Sequence, residues 1–477
     1  MLPPTTTAIR SWRPPKPRSS LFTRGLSGLT INSGRLMETL HQTCQWGAAH
    51  PYGKSRDSHH RTIRALADSH AAKTSAATET GMARLALDDD DARVRRWFAS
   101  ETEKLGCHNT TDQMGNMFAR QAGSLGSPAP MTAMGSHLDT QPRGGRYDGI
   151  LGVMAALEVL RTLKDKGRKT KYDLGAINWT NEEGARFPKS MVSSAVWSGS
   201  IPLEDAYSLA DIFNPQATME SELRRHGFIG DIPCSSNANP IGAHFELHIE
   251  QGPILEDDGK KLGVVQGAQA YKWLTVTVNG RDAHTGTTPM AARRDPILAV
   301  AKMIAASNAI ARESDALAST GIIKIPPGSS TNTLASQASF SLDIRHPHDD
   351  VVAGVVSRCL ESFKQIAAGD GKGVDISWTL DTDSPAIKFD PECIKVVQQS
   401  ADELVGPDGW LPLTSGAGHD SVETNKRCPT TMIFVPCRNG VSHHPEEYCS
   451  PEDCAIGTQA LLEAVLKYDE LRATKDN

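Results

Sequence analysis

Two rhythms of apolar and polar positions run along this chain, and the change from one to the other divides it. Residues 131–134 form a largely apolar run that reads as the end of a buried strand. From Leu151 onward the apolar positions recur at helical spacing, with Val153, Leu157 and Leu160 on one line and Ala156 and Leu163 beside it. Residues 174–179 read as a second buried strand. Residues 245–250 alternate Phe245, Leu247 and Ile249 with Glu246, His248 and Glu250, which puts His248 on a polar face with the two glutamates. Ahead of these strands, residues 35–121 read as mostly helical. One helix opens at 35–40, another covers 92–105 with Val94, Phe98 and Leu105 on one side, and 112–119 has the look of a turn entering a strand.

From residue 268 to 380 the rhythm changes. Residues 273–278 alternate as a half-buried antiparallel strand. A helix follows at 295–311, then strands at 321–325 and 338–344, a helix at 349–367, and a strand at 374–380. Strand, helix, two strands, helix, strand is the order of a ferredoxin-like unit. After it the first rhythm resumes, with helices at 391–404 and 451–468 and a strand at 432–435. The expected fold is α/β: a mostly parallel-sheet domain made of residues 35–267 and 381–470, interrupted by a ferredoxin-like α+β domain at 268–380.

Length and charge narrow the classes. A chain of 477 residues can hold two or three domains. A net charge of −6 with interspersed signs excludes a nucleic-acid polyelectrolyte and a membrane-surface protein, and no apolar run is long enough to span a bilayer. Nine scattered cysteines without a CxxC pair fit a reducing compartment rather than a disulfide framework. The first 37 residues contain no Asp or Glu, whereas Arg10, Arg13, Lys16, Arg18 and Arg24 sit among Ser, Thr and Pro. Residues 1–34 are therefore expected to be a transit peptide or a disordered tail, and the location mitochondrial or cytoplasmic.

Chemistry gathers where the strands end, which in open α/β sheets is where ligands bind. The run to residue 134 leads to His137, with Asp139 two positions on, placed to accept its second ring N–H and fix the tautomer. Asp148 follows a Gly- and Arg-rich loop. Residues 174–179 run into the adjacent carboxylates Glu182 and Glu183, a repulsive pair unless a cation lies nearby. His248 ends the third strand, and His443 follows the strand at 432–435. Imidazole and carboxylate are ordinary ligands of a divalent metal. One carboxylate shared between two ions, two further ligands for each and a spare carboxylate as base make up a two-metal hydrolytic site. Of the remaining polar residues, Arg345 reads by itself as half of a surface salt bridge with Asp343 or Asp349.

These motifs resemble the dinuclear-zinc amidohydrolases and peptidases related to aminoacylase and glutamate carboxypeptidase, over residues 35–470. They are Gly135-Ser136-His137-Leu138-Asp139-Thr140, Tyr147-Asp148-Gly149-Ile150-Leu151-Gly152, Asn181-Glu182-Glu183-Gly184-Ala185-Arg186-Phe187 and Trp197-Ser198-Gly199-Ser200. His248-Ile249-Glu250-Gln251-Gly252-Pro253 points to the hydantoinase/carbamoylase branch, because peptidase relatives carry an acidic ligand where this chain has His248. The resemblance implies two divalent ions per subunit, zinc first and manganese, cobalt or nickel as alternatives. It implies that His137 and His248 hold one ion, that Glu183 and His443 hold the other, and that Asp148 bridges them. The Gly-x-Ser-His pattern selects His443 over His444. Glu182 becomes the general base, His284 and His419 polar contacts to the reacting carbonyl, and Gln251, Asn332 and Arg345 the pocket for a substrate carboxylate. That overturns the salt-bridge reading of Arg345. The inserted domain is expected to dimerise the enzyme and close over the substrate, with His284 reaching the active site of the second subunit. The implied activity is hydrolysis of an N-carbamoyl amino acid, either β-ureidopropionate or an N-carbamoyl-L-amino acid. Allantoate or ureidoglycolate hydrolysis is the alternative, and a catalytically inactive zinc-binding scaffold is the reading that the intact Glu182 opposes.

Overall fold

The structure, a computed structural model, describes residues 27–51, 80–126, 129–327 and 329–475. Most of the expected N-terminal tail lies outside the described residues. Its end does not behave as a tail. The Ser27 hydroxyl donates to Glu463 at 2.6 Å, Ile31 is buried with its N–H on Gln459, and Asn32 caps the helix Ser33–Thr43.

Nine strands form the main sheet. At its centre Thr430–Val435, Ile241–Ile249, Met131–His137 and Leu174–Trp179 lie side by side and all run parallel. Antiparallel pairs occur toward the margins, where Met117–Gln121 and His108–Thr111 extend one side and Leu262–Ala268 joins the other. The central strands are buried on both faces, which is why they read as continuous apolar runs. Ile150–Asp165 and Pro451–Lys475 cover one face with Leu151, Leu160, Leu461 and Val465. The short helices Val192–Ser198 and Met219–His226 cover the other with Val196, Trp197 and Leu223.

Two expectations change here. The stretch 35–121 is less helical than its pattern suggested, because among the described residues it holds two helices, Ser33–Thr43 and Asp89–Lys104, and four short strands. Strands of three to five residues are too short to show a period against helical neighbours. The polar face carrying Glu246 and His248 is not solvated either. Both residues are buried, since the helix Asp420–Thr424 lies against that side of the strand. Glu250, past the strand end, instead accepts the N–H groups of Ile254 and Leu255 at 2.8 Å and caps the next short helix.

A second sheet of five strands is antiparallel throughout, in the order Leu317–Ser319, Gln337–His346, Ala270–Asn279, Asp375–Ser384, with Ile323–Lys324 also on Gln337–His346. Helices Pro296–Glu313 and Asp349–Gly369 pack on one face through Ala299, Met303, Val355 and Phe363 against Leu274, Val276, Phe340 and Leu342. This is the ferredoxin-like arrangement, with its second strand split in two. The chain passes from the first sheet to the second between Ala268 and Ala270 and returns between Ser384 and Ile387. The uncovered face of the second sheet carries Tyr271, Trp273, Asp343 and Arg345.

Candidate metal centre and active site

All four parallel strands deliver their C-terminal ends to one edge of the sheet. There, side chains far apart in sequence converge. His248 Nε2 lies 3.1 Å from Asp148 Oδ1, and His137 Nε2 lies 3.6 Å from the same oxygen. On the other side of the carboxylate, His443 Nε2 is 3.4 Å from Asp148 Oδ2 and 3.4 Å from Glu183 Oε2. His137, Asp148 and His248 form one group whose ligand atoms lie within 4.8 Å of one another, and Asp148, Glu183 and His443 form a second. Asp148 belongs to both, one oxygen toward each, as expected of a two-ion centre.

Histidine tautomers are set by the backbone. His137 Nδ1 is 2.9 Å from the Asp139 carbonyl oxygen and His248 Nδ1 is 2.9 Å from that of Ile249, so each ring donates there and turns Nε2 toward Asp148, where His248 Nε2 also accepts the Gly149 N–H at 3.2 Å. This revises the part expected of Asp139. Its carbonyl, not its carboxylate, holds His137, and the carboxylate, 3.9 Å from the ring, instead accepts the N–H groups of Glu182 and Glu183 at 3.4 and 3.3 Å. Gly149 enables the close approach of the Asp148 loop. Its φ is +65°, and a Cβ there would come within 2.3 Å of the His137 ring.

Burial sets the electrostatics. It pushes Glu182 well above the ordinary carboxylate range, and Asp420, Glu183 and Asp148 add to the effect. Burial and Asp148 push Glu183 up to about 8. Burial alone would raise Asp148 too, but His248, His443 and His137 hold it well below its usual value. Burial opposes a charge on His248, and Asp148 overrides it, lifting the imidazole to about 9. Asp148 therefore favours a cationic partner at His248, a part that a metal ion could take in place of a proton. Two fixed imidazole nitrogens, a third histidine, a shared carboxylate and Glu183 fit a pair of divalent ions.

A cavity of about 240 Å³ opens over this centre, lined by Asp148, Glu182, Glu183, Gln251, Arg345, His419 and His443 among others. Glu182 lies outside both ligand groups, with Oε2 3.5 Å from His137 Nε2. His419 packs its ring against His248 at 4.6 Å with Nε2 3.0 Å from the Ser415 hydroxyl, and burial holds it well below its usual pKa, hence neutral. Gln251 donates to Asp148 Oδ2 at 2.7 Å and to Ser442 at 3.2 Å. Arg345 makes the salt bridge that its sequence context alone suggested, with Asp343 at 2.8 Å, and it also lines the cavity, with Nη1 on the Gly416 carbonyl. Both His443 and His444 are exposed, but His444 accepts the Glu446 N–H whereas only His443 stands in a ligand group with Asp148 and Glu183.

His284 and Asn332 are not brought to this cavity. They sit on a two-stranded ribbon, Ala283–His284 with Thr333–Leu334, where His284 Nδ1 accepts the Gly286 and Thr287 N–H groups and Asn332 Oδ1 accepts from Ser330. Both are exposed.

Several supporting residues escaped the sequence. Gln141 donates to Glu183 Oε2 at 2.8 Å. Buried Glu447 accepts the N–H groups of Tyr147 and Asp148 at 2.9 and 3.0 Å, and its other oxygen accepts from Ser442, beside His443. Buried Glu246 accepts from Ser136 and Ser421, both at 2.6 Å, tying together segments next to His137, His248 and His419. The only sequence signal for these was polarity inside buried stretches. Backbone strain also concentrates here, since Asn181, Met191, Gln251 and His443 all have φ between +53° and +59°.

The model of a family described as peptidase family M20/M25/M40 matches residues 133–467. An N-carbamoyl-L-amino-acid amidohydrolase of Rhizobium meliloti is 40% identical over 396 residues, 82% of this chain and 92% of that protein. A ureidoglycolate hydrolase of Arabidopsis thaliana is 34% identical over 393 residues, 81% of this chain and 82% of that protein. The crystal structure of an amidase of the hydantoinase/carbamoylase family from Burkholderia vietnamiensis superposes with a TM-score of 0.78 and 36% identity, covering 92% of this chain and 97% of that one.

Proposed function

Since the chain belongs to the M20/M25/M40 peptidase family and, within it, to the hydantoinase/carbamoylase amidases, we propose that it hydrolyses N-carbamoyl amino acids to the free amino acid, ammonia and carbon dioxide. The observation that carries this reading is a shared Asp148 between two ligand groups, with a spare buried Glu182 beside them and an arginine in the same cavity.

His137 and His248 would hold one ion and Glu183 and His443 the other, with zinc matching the nitrogen-rich set. Such ions polarise a carbonyl and acidify bound water. Glu182 takes a proton from the attacking water and returns it to the amino nitrogen as the carbamoyl C–N bond breaks. Neutral His419 contributes an N–H to the carbonyl oxygen as it gains charge. Arg345 receives the substrate carboxylate, for which a guanidinium offers a planar two-pronged donor. Gln251, already donating to Asp148, serves the centre as much as the substrate. Exposed His284 and Asn332 complete the cavity of a second subunit, which makes the working enzyme a homodimer. Ureidoglycolate or allantoate hydrolysis is the second reading, favoured by the similarity to the Arabidopsis protein.

Ammonia release from N-carbamoyl-L-amino acids, N-carbamoyl-β-alanine, ureidoglycolate, allantoate and the amides of the first two tests this reading. N-carbamoyl acids should react and their amides should not. Glu182→Gln should keep two ions and lose about 10²–10⁴-fold in rate. Equal efficiency on acid and amide removes Arg345 from the pocket, and an active Glu182→Gln enzyme removes Glu182 as the base.

A further inference from the structure

Facing the acidic side of the cavity is an aromatic wall that neither the ligands nor the base uses. Tyr271 and Trp273 rise from the uncovered face of the second sheet, and Met191 lines the same cavity. The strand register sets Tyr271 directly opposite Arg345 and Trp273 opposite Asp343. The Tyr271 ring lies 5.4 Å from that of Trp273 and 5.1 Å from the Arg345 guanidinium carbon. Trp273 is 37% exposed and stands in the wall of the site, whereas Trp378, at 39% the more exposed tryptophan, does not line it. An apolar group bound in the cavity would take the Trp273 indole out of water.

Building on the N-carbamoyl amino acid reading, we propose that Tyr271 and Trp273 receive the substrate side chain and make the enzyme selective for N-carbamoyl α-amino acids with a large apolar or aromatic side chain. With the carboxylate on Arg345 and the carbamoyl group at the ligand wall, the carbon bearing the carboxylate lies between them. An α-substituent leaves that carbon beside Tyr271. Trp273 is two residues farther along, about 7 Å, within the reach of a phenylalanine or leucine side chain. N-carbamoylglycine and N-carbamoyl-β-alanine have nothing to place there. Beyond the Tyr271 hydroxyl and the Trp273 indole N–H, the two rings present carbon to a side chain placed there. Asp343 repels an acidic one.

The test compares kcat/KM for the N-carbamoyl derivatives of L-phenylalanine, L-leucine, glycine, L-aspartate and β-alanine, in the wild type and in Trp273→Ala and Trp273→Phe. The wild type should favour phenylalanine over glycine by about 10–200-fold, the range a hydrophobic pocket can deliver. Trp273→Ala should bring that ratio toward one, and Trp273→Phe should keep most of it. The proposal is overturned if the wild type handles glycine or β-alanine as well as phenylalanine, a result that does not depend on any variant folding. It is also overturned if Trp273→Ala lowers every substrate by the same factor, which would make Trp273 a packing or subunit-contact residue. Turnover of none of the N-carbamoyl compounds by the two-ion enzyme would instead refute the functional reading on which this one rests.

Discussion

Glu447→Ala probes how the bridging carboxylate is held without touching a ligand. The substitution leaves three donors without their acceptor: the N–H groups of Tyr147 and Asp148 and the Ser442 hydroxyl. Ser442 keeps Asp148 Oδ2 at 2.9 Å, so its loss is small. The two N–H groups are buried, and stranding each costs about 1–3 kcal/mol, so the pair should cost about 2–6 kcal/mol. Glu447→Gln keeps a carbonyl oxygen for both N–H groups and turns its NH₂ toward the Ser442 oxygen, and about 1 kcal/mol or less should be lost. Urea unfolding of the metal-stripped enzyme, followed by the fluorescence of buried Trp179 and Trp197, measures the difference free of metal linkage. Elemental analysis of reloaded protein measures the rest. With the Asp148 loop and Ser442 released together, the alanine variant should retain fewer than two ions per chain and the glutamine variant close to two. An alanine variant within about 1 kcal/mol of wild type, holding two ions as tightly, would refute the reasoning.

Two further outcomes follow from the same geometry. Gly149→Ala should displace the His137 ring, cost about 1–2 kcal/mol from its left-handed backbone alone and empty the His137–His248 position first, and elemental analysis finding two ions in that variant would contradict the contact. Mixing inactive His284→Ala with inactive Glu182→Gln subunits should restore activity through hybrid dimers, whereas demonstrated subunit exchange without recovery would confine His284 to its own ribbon.

How far the sequence spoke depended on burial. The run before His137 and residues 174–179 announced themselves because strands covered on both faces must be apolar, and their ends are where polar residues become affordable. The ferredoxin-like order was legible from element succession alone. Three short strands before residue 112 were not, since three or four residues carry no period. The residues that converge on the cavity were readable by type and place. Their supports were not: nothing in the sequence distinguishes Glu447 from Glu446, and only folding puts one beneath the Asp148 loop while its neighbour stays exposed. The exchange of roles within Asp139, carbonyl for carboxylate, is likewise set by local backbone conformation, which residue type does not encode. Arg345 shows the opposite case, in which the ion pair read from the residue alone is present and sits on the rim of the cavity.

The strand Thr430–Val435 enters the sheet between Ile241–Ile249 and Leu262–Ala268, two strands synthesised long before it. During synthesis those strands wait with facing edges unpaired, both apolar, until the last part of the chain arrives. The same late segment carries His443 and Glu447. Under the proposed ligand assignment, the second ion has to wait for the segment 430–447, and a nascent chain without it can hold at most an incomplete centre. Nonsense or proteolytic loss of the final fifty residues would produce a sticky, open-edged intermediate dependent on chaperones, rather than a folded enzyme missing one ligand.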